Sequence, residues 1–278
     1  MSTFLTRLNS ACAATQSLVC VGLDPDPSQM PVADVCEFNR AMVEATADVV
    51  CAYKPNLAFY EALGLPGLKA LESTLAHIRQ ISPSAVVIGD AKRGDIGPSG
   101  EAYAKAMFRV WDFDAVTVNA WGGQDTIAPF LPDPERGVFI WCRGSNPGSS
   151  DLRDLPVRAD EGGVPLYQHL AQAANQWNLK GNIGLVVGAT VPRQLGETRR
   201  LCPNMPFLIP GVGAQGGDLE AAVRNGIDAR GRLAIINSSR GIIYASRGPD
   251  FAQAARREAA RLRGTINQVL ESQGVPWP

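Results

Sequence analysis

The stretch VVIGDAKRGDIG, residues 86 to 97, sets Asp90, Lys92 and Asp95 at and just beyond the end of an apolar, β-branched run. Side chains two apart on a strand share a face, so Asp90 and Lys92 are expected to point together out of the strand end. A second lysine, Lys54 in AYKPN, ends another apolar run. With Asp24 at the end of a third, one site would hold two ammonium groups and up to three carboxylates. Such charges are costly to desolvate unless they pair with one another. The cluster therefore has two readings: a satisfied ion-pair network that closes the rim of the fold, or a preorganised set of charges that stabilises a developing charge and moves a proton.

Two glycine-rich segments add a different chemistry. LIPGVGAQGGD, residues 208 to 218, is followed by INSSRGIIY, residues 236 to 244. Glycines let backbone N–H groups approach an anion, and Arg240 can add a bidentate charge-assisted bond to the same phosphate. Turn-making is the competing role for these glycines. A third motif, CRGSNPGSSD at residues 142 to 151, offers Ser145 and Asn146 as hydrogen-bonding groups for a carbonyl or heterocyclic ligand, or is ordinary turn chemistry.

These residues need elements to hold them, and eight short apolar runs supply them: 18–23, 51–55, 85–90, 115–119, 137–142, 183–187, 207–210 and 233–237. Runs that are apolar throughout suit parallel strands covered on both faces. Segments of helical periodicity lie between them, among them 32–50, 65–81, 164–178 and 251–273. Eight strand–helix repeats in 278 residues favour a single-domain (β/α)8 TIM barrel spanning 1–278, with an open doubly wound sheet as the alternative. In such a barrel the site lies where the strands end, and the loops after strands seven and eight commonly bind phosphate. The strand exits carry Asp24, Lys54, Asp90 with Lys92, Asn119, Arg143 with Ser145, Thr190, Gln215, and Ser238 to Arg240. The polar, glycine-rich segment 143–163 reads as a structureless loop and a candidate lid.

Composition narrows the function. A net charge of −1 gives no electrostatic footprint for nucleic acid or an anionic membrane. No run approaches the length of a membrane span, and polar residues break up the N-terminal segment that a secretory signal would need. The six cysteines form no CxxC pair and sit mostly in apolar runs, as reduced buried thiols do in a cytoplasmic protein. His77 and His169 fall in helical segments away from the strand exits, so neither a zinc site nor a histidine acid–base pair is expected. The five tryptophans show no helical spacing and read as packing.

Taken together, the D-x-K-x-x-D run, the strand-two lysine, the S-N-P-G loop, G-V-G-A-Q-G-G and the final S-R-G resemble, in order, the orotidine 5'-phosphate decarboxylase family, closest to its longer bacterial branch. The likeness runs from about Gly22 to Tyr244. It implies decarboxylation of orotidine 5'-phosphate to uridine 5'-phosphate with no cofactor and no metal. Lys92 would be the proton donor to pyrimidine C6, held by Asp90 and Lys54. Asp95 would reach across a homodimer interface into the partner's site, with Ile96 and Ser99 also contributed in trans. Asp24 and Lys54 would hold ribose hydroxyls and Ser145 the pyrimidine edge. Gln215, Arg240 and the backbone near Gly211 to Gly216 would grip the phosphate, and Pro210 and Ser239 count among the substrate-binding residues.

Ser99 stands where the family often has Thr, and Ser239 where Gly often precedes the phosphate arginine; neither change removes a hydrogen-bonding group. Metal-dependent phosphosugar decarboxylases and synthases of the same superfamily share D-x-K-x-x-D, but they typically carry a strand-two Glu where this chain has Lys54. A non-catalytic phosphate-binding barrel is the remaining alternative, and it would have no use for so costly a charge cluster.

Overall fold

The computed structural model describes residues 3–157, 163–213 and 216–278. Five strands come first: β1 (Val19–Leu23), β2 (Ala52–Pro55), β3 (Val86–Arg93), β4 (Ala115–Val118) and β5 (Gly137–Arg143). A short antiparallel ribbon follows, β6 (Pro156–Val157) with β7 (Val164–Pro165). Then come β8 (Ile183–Val187), β9 (Phe207–Pro210) and β10 (Ala234–Ser238). Apart from the ribbon the strands close into one parallel barrel in the order β1-β10-β9-β8-β5-β4-β3-β2, so the open-sheet alternative is excluded. All eight apolar runs are barrel strands. The hydrophobic pattern predicts this because parallel strands wrapped by helices have no wet face, and β1, β2, β4, β8 and β10 are buried along their whole length.

The helices are α1 (Phe4–Thr15), α2 (Val35–Thr46), α3 (Leu57–Ala62), α4 (Gly64–Ile81), α5 (Gly97–Lys105), α6 (Ser150–Arg153), α7 (Leu166–Trp177), α8 (Pro192–Leu201), α9 (Leu219–Gly226), α10 (Arg240–Ile243) and α11 (Phe251–Ser272). The connection after β4 departs from the repeat. It carries only the 3₁₀ turns Gln124–Thr126 and Ala128–Phe130. Gly122, Gly123, Pro129, Pro132 and Pro134 interrupt any longer helix there.

α1 is not among the helices read from the sequence, yet it closes the end of the barrel away from the strand exits. Phe4, Leu8, Ala11 and Cys12 are its buried stripe, and the Phe4 ring meets Phe139 edge-on at 5.9 Å. Asp114, buried at the same end, accepts the Val87 N–H at 2.8 Å and the Arg79 guanidinium at 2.7 Å, and it pairs with Arg7 of α1. One carboxylate so ties α1 and α4 to the start of the sheet.

The segment after β5 is built rather than structureless over its described part. A 3₁₀ turn, Pro147–Ser149, leads into α6, and β6 and β7 bring the chain back to α7. The Arg143 guanidinium, 4% exposed, grips Asp154 through two bonds of 3.0 and 3.1 Å. Residues 158–162 of the segment lie outside the described residues.

Candidate active site

Asp90 is the centre of the site. Its Oδ1 accepts the Lys92 ammonium at 2.6 Å and the Thr117 hydroxyl at 2.8 Å, while its Oδ2 accepts the Lys54 ammonium at 2.9 Å. Burial opposes charge on both Asp90 and Lys54, yet their mutual attraction prevails. Lys54 and Lys92 hold the Asp90 carboxyl well below the usual carboxylate range, and Asp90 with Asp24 holds the Lys54 ammonium above its ordinary value. Burial, opposed by the nearby Lys54, pushes the Cys20 thiol beneath them up to about 12, which keeps it neutral.

The sequence predicts that regular strand alternation brings Asp90 and Lys92 together, and here the structure differs. The β3–β4 register shifts between Gly89 and Arg93: Gly89 lies opposite Val116, but Arg93 already lies opposite Val118. The extra β3 residues bulge out of the ladder, and Lys92 takes a left-handed backbone with φ +47°. The bulge aims Lys92 over the barrel mouth, where its side chain is 43% exposed.

Above this network a cavity of about 320 Å³ opens at the C-terminal ends of the strands. Of the residues expected from the sequence, Asp24, Lys54, Asp90, Lys92, Ser145, Pro210, Gly211, Ser239 and Arg240 line it. Asp95, Ile96 and Ser99 do not: they are exposed between β3 and the first turn of α5. Gly216 is exposed and outside the lining, and Gln215 lies outside the described residues.

Other strand-exit residues brace the lining instead of forming it. Asn119 donates to the Lys92 carbonyl at 3.1 Å, and Arg143 donates to the Gly144 carbonyl at 3.0 Å. Thr190 donates to the Ser145 carbonyl at 2.7 Å. Ser145 is also pressed against β8, since a Cβ on Gly188 would fall 2.6 Å from its Cα. Gly211 turns the chain out of β9 with φ +101°, a conformation open to glycine, and lines the cavity with Arg240.

Sequence reasoning missed several lining residues: Asn56, Thr117, Trp141 and Asn237. Trp121 departs from the reading of the tryptophans as packing, and Trp141, which does pack against the core, has a second role. Trp141 lines the cavity with the Arg153 guanidinium 5.9 Å above its ring, and Trp121 is 67% exposed. The inward alternation of β5 could have found Trp141; a strand Thr or Asn gives no signal of its own. The histidines lie on α4 and α7, away from the cavity, as expected.

The fold and the cavity define a (β/α)8 barrel with a lysine–aspartate network at its mouth, the class of enzyme to which its relatives belong. The chain belongs to the orotidine 5'-phosphate decarboxylase / HUMPS family, whose model matches residues 17–257. It is 50% identical over 275 residues to an orotidine 5'-phosphate decarboxylase of Roseiflexus sp. (strain RS-1), covering 96% of this chain and 98% of the relative. It is 47% identical over 274 residues to that of Thermomicrobium roseum, covering 96% and 95%. Among solved structures, Leishmania donovani OMP decarboxylase superposes with a TM-score of 0.83 at 37% identity, covering 96% of this chain and 98% of that one.

Proposed function

We infer that the chain decarboxylates orotidine 5'-phosphate to uridine 5'-phosphate and CO2, a carbon–carbon lyase reaction of pyrimidine biosynthesis, in the cavity above Asp90. The single observation that carries the chemical reading is the Asp90 carboxylate shared between the Lys54 and Lys92 ammonium groups. When the C6–carboxylate bond breaks, CO2 leaves and the electron pair stays at C6, where the ring delocalises it poorly. The Lys92 ammonium stabilises that charge and then donates its proton to C6. Asp90 holds Lys92 and crowds the departing carboxylate.

One lysine is not enough. The most proficient enzymes lower barriers by about 23 kcal/mol, and one oxyanion-type donor supplies roughly 3 to 4. The remote phosphate must contribute binding energy that orders the site. Arg240, Ser239, Gln215 and the backbone of Pro210, Gly211 and Gly216 would grip it. Asp24 and Lys54 would take the ribose hydroxyls and Ser145 the pyrimidine edge, beneath a lid formed by 143–163 on a single catalytic domain. No cofactor and no metal enters this scheme; Lys54 stands where a metal-dependent relative would need a carboxylate.

Asp95, Ile96 and Ser99 would act in the site of a partner copy. Their exposure supports a homodimer, as does the apolar surface near them: Ile96 is 61% exposed, Tyr103 39% and Trp121 67%. A cytoplasmic location agrees with the six free cysteines, and no helix among the described residues is long and apolar enough to cross a membrane.

The test is the ultraviolet absorbance of orotidine 5'-phosphate incubated with purified protein and a chelator, beside Lys92→Ala. The orotate absorbance should disappear with the wild type and persist with the variant. Persistence with folded wild type as well as with the variant would transfer the chain to the metal-dependent phosphosugar enzymes or to a non-catalytic barrel.

A further inference from the structure

We propose that Thr117 is a positioning residue for the decarboxylation: its one hydroxyl fixes both the backbone turn that carries Lys92 and the carboxylate that holds the Lys92 ammonium. The inference rests on the reading of Lys92 as proton donor. Thr117 stands on β4 between Val116 and Val118, the two residues across which the β3 register slips. A bulge leaves backbone groups without ladder partners, and a buried N–H left unpaired costs about 1 to 3 kcal/mol. Thr117 supplies the missing partner: the Lys92 N–H donates to its Oγ1 at 3.0 Å.

The direction of the next bond is then settled by chemistry. Because Oγ1 accepts from an N–H, its own proton is free to donate, and the Asp90 carboxylate can only accept, at 2.8 Å. One oxygen thus links the left-handed residue Lys92 (φ +47°) to the carboxylate that binds that same residue's ammonium at 2.6 Å. Backbone, hydroxyl, carboxylate and ammonium form a closed ring of contacts around the proton donor. Thr117 is 2% exposed, so water does not readily replace it in the ring. A non-glycine residue in this backbone region is strained and persists where its surroundings over-determine it. Thr117 is the side chain on the facing strand that meets both ends of the strained turn.

A displaced catalytic group costs turnover more than binding, since a misplacement of about 1 Å is enough for a hundredfold loss. Thr117→Val keeps the shape and removes the oxygen; Thr117→Ser keeps the oxygen. The expected result, measured well below each variant's melting temperature, is a kcat lower by about tenfold to hundredfold in Thr117→Val, with KM within about threefold of wild type. Thr117→Ser should return kcat to within about threefold of wild type. If Thr117→Val does not fold, Thr117→Ala removes the same oxygen with less crowding and takes its place. An unchanged kcat in Thr117→Val, or a loss in Thr117→Ser as deep as in Thr117→Val, overturns the proposal while leaving Lys92 in its role. Activity retained in Lys92→Ala overturns that role itself, so the two failures are told apart.

Discussion

At the scale of single residues, the energetics of the site turn on Asp90 and Lys54, two charges that the barrel buries and then pairs. Breaking such a pair by removing one partner typically costs about 3 to 5 kcal/mol, because the other charge is left in a poor solvent. Lys54→Met should therefore destabilise the folded protein by about that amount near neutral pH. The sign of the pH dependence follows from the two shifts. The Asp90 carboxyl is depressed on folding, so its contribution is present above the unfolded carboxylate value of about 4 and is lost as pH falls through the folded value. The Lys54 ammonium is raised, so its contribution is present below about 10.4 and is lost only as pH rises through the folded value. The gap in melting temperature between wild type and Lys54→Met should be widest from about pH 5 to about 9 and should narrow progressively as pH falls below about 4 toward the depressed folded value of Asp90. A gap that does not narrow at all as pH is lowered from about 5 to the lowest pH at which both proteins stay folded would mean that the pair contributes nothing through its charges. Lys54, Asp90 and Lys92 were legible in the sequence because charged residues at the ends of apolar strands stand out. Thr117 was not, because a strand threonine is as readily a packing residue and only the register shift and the cavity give it a role; Trp141 could have been found from the inward alternation of β5 but reads as packing among tryptophans without helical spacing.

At the scale of elements, the segment after β5 shows what composition hides. Its glycines, serines and prolines suggest an irregular loop, yet the long-range pair between Arg143 and Asp154 shapes it, and no local pattern announces such a pair. The Arg143 guanidinium joins Asp154, just past α6, to the carbonyl of Gly144, which immediately precedes Ser145. The pair therefore couples the placement of the proposed lid to the proposed pyrimidine contact. A lysine cannot reproduce the bidentate fork. Arg143→Lys and Asp154→Asn should each raise KM for orotidine 5'-phosphate about tenfold, and the double variant should be little worse than the more impaired single one, as expected for residues acting as a unit. Steady-state kinetics on the three variants decide this; strictly additive losses would show that the two side chains act separately.

At the scale of the whole molecule, the barrel was readable because eight buried strands and their spacing admit few closures, and the site followed from the end of the barrel at which strand-exit residues gather. What no single chain shows is the place of Asp95. It belongs to the same D-x-K-x-x-D run as Lys92, yet it is exposed and outside the cavity that Lys92 lines. If a second copy completes each site, Lys92 and the Asp95 that serves it belong to different protomers. Lys92→Ala and Asp95→Ala should then each be nearly inactive alone, the first for want of the proton donor and the second for want of the carboxylate beside it. In a mixed dimer one site receives both defects and the other receives neither. Unfolding and refolding the two inactive variants together at equal concentration makes half of the dimers mixed, so about a quarter of wild-type activity should return. Activity that stays at the level of the separate variants, with mixed dimers present by native mass spectrometry, would place Asp95 in its own chain's site and require the loop before α5 to fold back over the barrel mouth.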